Sequence, residues 1–224
     1  MMIAINYEWT KDYPEASAGM LILSDIRNTD GGKQMNKVKR ELEKNIKHKY
    51  SDKTRNELKT TYPINVYVTY YKKFGYSYHV LLQLESLIKG KPIPDVSAPV
   101  EAMFMAELKN GLLTAAHDFD KINPPLSCKI SQGSEEFVTL NGKTVSTVED
   151  DMMICDADGI ISSILRGPDR RTAVGASTSR VLYTTYAPPG VDKSLVMQHL
   201  DDIESYVKVF SGEAKTEMKK CIHD

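Results

Sequence analysis

Apolar side chains recur at Val38, Leu42, Ile46 and Tyr50, with lysines filling the faces between them. A 3.6-residue turn stacks such positions into one stripe, so the spacing predicts an amphipathic helix after the Asp30-Gly31-Gly32 turn. Ahead of it, Ile3 to Trp9 and Gly19 to Ser24 read as short strands separated by Lys11-Asp12-Tyr13-Pro14. After it, Tyr62-Pro63 closes the lysine-rich segment and opens a helix over Ile64 to Phe74, which stops near Gly75. Ser77 is the expected cap of a helix from Tyr78 to Lys89, ended by Gly90 and the Lys91-Pro92-Ile93-Pro94 break. Ser97 is the expected cap of the next, Pro99 to Lys109, which Asn110-Gly111 terminates.

Beyond Gly111 the period shortens. Leu112 to Ala116, Leu126 to Ile130, Glu136 to Leu140, Met152 to Cys155, Ile160 to Leu165 and Arg180 to Tyr186 are short β runs between turn residues. Asn141-Gly142 marks a hairpin. Val196, Leu200, Ile203, Val207 and Phe210 then share one face of a last helix, and Gly212 to Asp224 is expected to fray. Helices first, strands next and a closing helix predict an α+β fold of one domain over 1–224, its sheet mixed but largely antiparallel and covered by helices.

Composition changes this picture in one place. The 224 residues carry a net charge of only −1 and a charged fraction of 26%, ordinary for a globular chain, and 41% are hydrophobic, enough for a sizeable core. Yet Lys33 to Lys59 holds ten Lys/Arg against four Asp/Glu, a local charge of +6 that leaves −7 on the remainder. Such an arm either meets phosphates or is a solvated helix face, and the solvated face is the commoner case. The three cysteines, at 128, 155 and 221, show no C-x-x-C spacing, so neither a disulfide framework nor a zinc cluster follows. Without a signal-peptide pattern or a membrane-length apolar run, the expectation is a reduced, cytoplasmic protein with no membrane partner.

The P-loop, dinucleotide, H-E-x-x-H and G-x-S-x-G signatures are missing. Four smaller features carry potential chemistry. In His117-Asp118-Phe119-Asp120 a chain leaving its strand would bring an imidazole and two carboxylates to one spot, where they can activate water or orient an amine; turn hydrogen bonds explain the same residues about equally well. In Arg166-Gly167-Pro168-Asp169-Arg170-Arg171-Thr172 a tight turn can aim guanidinium groups and backbone donors at a phosphate or carboxylate, against a plain surface turn with a local Asp–Arg pair. His79 and Gln83, four apart, share a helix face, as do Met103 and Glu107 on the next helix. His79, Glu107, His117 and Asp118 are too dispersed to predict a metal site, and no cofactor is called for.

In order along the chain, SAPVEAMFMAELKNGLLTAAHDFDKI (97–122), GSEEFVTLNGK, MMICDADG and GPDRRTAVGASTSRVLY resemble the B3/B4 domain of the phenylalanyl-tRNA synthetase beta chain, whose H-A-F-D-L-D-K-L motif corresponds to the stretch ending at Ile122. The likeness runs from Tyr62 to Pro189, without the synthetase's other modules. It implies a free-standing B3/B4-like domain with tRNA or aminoacyl-tRNA as partner and hydrolysis of a mischarged aminoacyl ester as activity. In that reading His117, Asp118 and Arg171 are catalytic. His79, Gln83, Met103, Glu107, Asp120, Arg166, Asp169 and Thr172 hold the substrate. Two positions depart from the family pattern: Ala115 stands where the motif has histidine, and Thr184 where a later strand has glutamate. A non-catalytic RNA-binding module, or a pocket for a free amino acid, remains the alternative.

Overall fold

A computed structural model describes residues 5–28 and 31–223. The start of the expected first strand, Ile3 and Ala4, and Asp30 of the expected turn lie outside them; the strand is present over β1, Ile5–Tyr7. The second, β2, is longer than expected, Ser17–Ser24. Helix α1 spans Gly32–Tyr50 and buries Leu42, Ile46 and Tyr50 of the four-residue stripe together with Met35. One lysine leaves the solvated face: Lys39 is buried, held by Asp95 and by Glu101 at 3.1 Å.

Helix α2, Arg55–Thr60, is too short for periodicity to reveal. A capping box starts it, with the Thr54 hydroxyl accepting from Glu57 N–H while the Glu57 carboxylate accepts from Thr54 N–H. Helices α3 (Ile64–Lys73), α4 (His79–Ile88) and α5 (Ala98–Asn110) follow the sequence pattern closely. Tyr78, not Ser77, occupies the N-cap of α4. Gly111, left-handed at φ 71°, ends α5 as expected.

Two sheets carry the rest. Strands β3 (Leu113–Asp118), β10 (Val181–Ala187), β2 and β11 (Lys215–Ile222) form an antiparallel sheet in the order β11-β2-β10-β3. The segment expected to fray is thus largely a strand, whose residues Lys215 to Ile222 pair with Ser24 to Ala18 of β2. The second sheet has the order β1-β4-β7-β8-β9, from β4 (Leu126–Ile130), β7 (Met152–Asp156), β8 (Gly159–Ser163) and the two-residue β9 (Gly167–Pro168). Only its β1–β4 pair is parallel. The Asn141-Gly142 hairpin is present, joining β5 (Glu136–Val138) to β6 (Thr144–Ser146) through a loop longer than two residues. The α+β class and its antiparallel bias hold.

Alternation sorts the first sheet's two faces. One carries Thr114, Tyr183 and Thr185 towards α5 and α6 (Lys193–Phe210): Tyr183 donates to the Pro99 carbonyl, and Thr114 meets His199 of α6 at 2.7 Å. Val196 and Leu200 of α6 sit directly over Gly19, the position in β2 that has no Cβ to obstruct them. The opposite face carries Ala115, His117, Leu182, Thr184 and Tyr186 towards the second sheet, where Trp9 stacks on Tyr186 with centroids 5.8 Å apart. Among the described residues, no helix is long and apolar enough to cross a membrane.

Candidate functional site

The register of β3 against β10 decides what happened to the two departures from the family motif. Thr184 pairs directly with Ala115, so the two altered positions face each other across the strands. His117, two residues on, projects from the same face, and its Nε2 lies 3.5 Å from the Thr184 hydroxyl. Its Nδ1 is 2.8 Å from Thr172 Oγ1, and Thr172 in turn donates to the Asp169 carboxylate. The single hydroxyl proton of Thr172 goes to Asp169, so Nδ1–H of His117 is the donor and Nε2 the acceptor. Burial pushes this imidazole down to about 3, so it stays neutral at pH 7.

Sequence reasoning places a strand exit at His117; instead β3 runs through Asp118, and His117 has no exposed surface. Asp118 is buried too. It accepts from the Thr178 hydroxyl and from Asp120 N–H, and pairs with Lys121 at 3.2 Å. Arg171 makes a two-pronged contact with Asp156, at 2.9 and 2.8 Å, and approaches Asp169 at 3.6 Å. Its guanidinium is engaged by carboxylates while the residue itself stays exposed. Arg166 donates to the Ser146 carbonyl and lies over the Tyr76 ring, while Asp120 is exposed, 3.7 Å from Arg180. The structure therefore brings together His117, Asp169 and Thr172 as a sealed polar cluster, with the exposed Arg171 reaching it through Asp169.

The other expected residues gather around α4 and α5. Met103 is core, and Glu107 is buried with one oxygen accepting from Thr114 N–H at 2.7 Å. Burial lifts the Glu107 carboxyl to about 8, leaving it largely protonated at neutral pH. His79 and Gln83 instead line a cleft of about 370 Å³ between α4, the Lys91–Pro94 segment and α5. Its walls are mostly apolar, with Leu82, Ile93, Phe104 and Leu108 among them, a composition suited to a small apolar ligand group.

Tyr71 fixes the orientation and tautomer of His79. Its Nδ1 is 3.2 Å from the Tyr71 hydroxyl, whose proton is donated to the Ile164 carbonyl at 2.8 Å. Tyr71 oxygen therefore accepts from Nδ1–H, and Nε2 carries the lone pair available to a ligand. Burial lowers the pKa of this imidazole, keeping it in the neutral, basic form. Sequence reasoning had no signal for Tyr71 or Phe104 as site residues: their partners lie on other elements, and both read locally as core.

A family model for the B3/4 domain matches residues 70–207, more than half of the chain and spanning both the cleft and the sealed cluster. The chain belongs to the B3/4 domain family. Among solved structures, this B3/4 chain is similar to an N-terminal fragment of the phenylalanyl-tRNA synthetase beta-subunit from Pyrococcus horikoshii, at 14% identity and a TM-score of 0.54. The superposition covers 99% of the B3/4 chain and 54% of that fragment, a likeness of fold. No curated protein matches the sequence.

Proposed function

We propose that this B3/4 protein binds the aminoacylated 3′ end of a tRNA and hydrolyses its ester in trans, with the cleft between α4 and α5 taking the amino-acid side chain. The observation that carries the reading is a neutral His79, oriented by Tyr71, on the wall of an apolar cleft of about 370 Å³. An aminoacyl ester is intrinsically labile, so positioning and one proton acceptor suffice. Water attacks the ester carbonyl and passes a proton to His79 Nε2. The tetrahedral intermediate expels the ribose oxygen, which takes that proton back, and free amino acid and tRNA leave. Gln83, one turn along the same face, holds the substrate amine or carbonyl. His117 and Arg171 keep the scaffold in shape and do not touch substrate.

The test is deacylation of a panel of aminoacyl-tRNAs by the purified protein. At least one is expected to be hydrolysed faster than in buffer, with His79→Ala losing about 10²-fold or more of the enhancement. No acceleration with any tRNA would overturn the hydrolytic part. A binding-only reading is favoured by the complete burial of His117 together with Ala115 at the position where the family motif has histidine. It predicts tRNA affinity unchanged in His79→Ala and no turnover.

A further inference from the structure

Three surface depressions meet along α4. The apolar cleft shares Leu82, which is 39% exposed, with a second depression between α2, α3 and α4 whose lining includes Lys59, Lys72 and Tyr76. That one shares Arg55 with a third, flanked by Lys53 and Lys89. The chain thus presents a continuous path: Lys53 and Lys89, then Arg55, then Lys59 and Lys72 around Tyr76, then across Leu82 into the cleft at His79. Five cations line its outer part and Lys91 the cleft, against a single acid, Glu85, which pairs with Arg55 at 3.2 Å. Among the described residues no carboxylate pairs with Lys59, Lys72 or Lys89. Tyr76 is 41% exposed, an aromatic ring in the middle of a cationic path with the Arg166 guanidinium 5.6 Å from its centroid.

From this geometry we infer that the α2–α4 surface is a track for the single-stranded 3′ end of an aminoacylated RNA, leading the aminoacyl group over Leu82 into the cleft. Cations spaced along a groove with an aromatic platform among them are what an unpaired strand requires, phosphates taking the charges and a base stacking on the ring. The ordering is specific: charge and aromatic surface lie outside, and the apolar receptacle lies at the end, where a side chain rather than a nucleotide would sit. A peptide without acidic or phosphorylated side chains would leave these cations unused, and a duplex has no exposed base face to offer Tyr76. The inference rests on the proposed function, since it names the surface by which that substrate arrives.

The exposed lysines of α1 provide the control. Lys37, Arg40 and Lys44 are as exposed as the track residues and lie on one face of α1, but they line none of the three depressions. Binding of a short 5′-fluorescein-labelled single-stranded RNA ending in CCA is followed by anisotropy, alongside uncharged full-length tRNA, between about 50 and 200 mM salt. Lys59→Ala/Lys72→Ala is expected to weaken oligonucleotide binding at least tenfold and to flatten the log–log salt slope by about 1.4, the contribution of two single-strand phosphates. Tyr76→Ala is expected to weaken it at least fivefold at any salt, with Tyr76→Phe restoring it. Lys37→Ala/Arg40→Ala/Lys44→Ala is expected to stay within about twofold for the oligonucleotide. Circular dichroism melts check that every variant is folded. Equal losses in the α1 and track variants, or an indifferent Tyr76→Ala, overturn the track while wild-type tRNA binding leaves the proposed function standing. No binding of either RNA by the wild-type chain overturns both.

Discussion

Replacing Glu107 by Gln tests the electrostatics beside the cleft. Glu107 is 1% exposed, and burial raises its carboxyl from an ordinary 4.5 to about 8. In the unfolded chain the same group is ionised above about pH 4.5, so between pH 4.5 and 8 the folded state holds one proton that the unfolded state does not. The stabilisation belonging to the protonated form is complete below pH 4.5 and is lost as pH rises towards 8. The slope is about 1.4 kcal/mol per pH unit, or roughly 4 kcal/mol between pH 5 and pH 8. Glutamine keeps an oxygen for Thr114 N–H and does not titrate. Its additional buried N–H costs about 1–3 kcal/mol at every pH, which shifts the offset between the two proteins but not the slope. The expected result is that Glu107→Gln gains stability relative to wild type steadily from pH 5 to pH 8, read as the difference in urea unfolding free energy. Other buried groups, such as Asp151 at about 6 and His199 at about 4, are common to both proteins and cancel. A pH-independent difference would refute the raised carboxyl and the dry environment beneath the cleft.

Three further outcomes follow from single contacts. Gly19→Ala places a Cβ 2.7 Å from Val196 and 3.1 Å from Thr185, so α6 must lift from the sheet. A loss of about 1–3 kcal/mol is expected, seen as a fall of several degrees in Tm; an unchanged Tm would show that helix and sheet are not so close. Arg171→Ala leaves the buried Asp156 carboxylate with only the backbone donors of Asn123, Asp158 and Gly159, and is expected to cost about 1–3 kcal/mol in chemical denaturation without reducing tRNA affinity. Lost affinity at unchanged stability would return Arg171 to the binding site. If His79 is the base, deacylation rises with pH through a pKa below 6.5, because burial favours the neutral ring, and is flat above it; a rate that climbs only above pH 8 would point to another group.

Much of the fold was legible because its signals are local. Val38 to Tyr50 repeats at helical spacing, Ser97-Ala98-Pro99 and Gly111 bracket α5, and the runs at Leu126 and Met152 are apolar enough to be strands anywhere. Helix α2 escaped the pattern at six residues, although Thr54 and Glu57 already stood at capping-box spacing. Strand β11 reads Lys-Thr-Glu-Met-Lys-Lys-Cys-Ile, with too little apolar alternation to announce itself; β2 supplies its partner from the other end of the chain. The candidate site was legible in part for the same reason. His79 and Gln83 share a face by spacing alone, and the cleft keeps them together. The carboxylate pairing of Arg171 depends on Asp156, fifteen residues away in β7, and the hydrogen bond that holds His117 depends on Thr172. Neither spacing matches a helical or strand repeat that would announce the contact.

Strand β11 closes one margin of its sheet, where the hydrogen-bonding groups of β2 would otherwise stand open from Ala18 to Ser24. A shortened version ending at Gly212 would bare a seven-residue rim lined with Met20, Ile22 and Leu23, inviting a second molecule to zip onto it. Engineering of the carboxyl-terminal end therefore bears on whether the protein remains a well-behaved single species at high concentration.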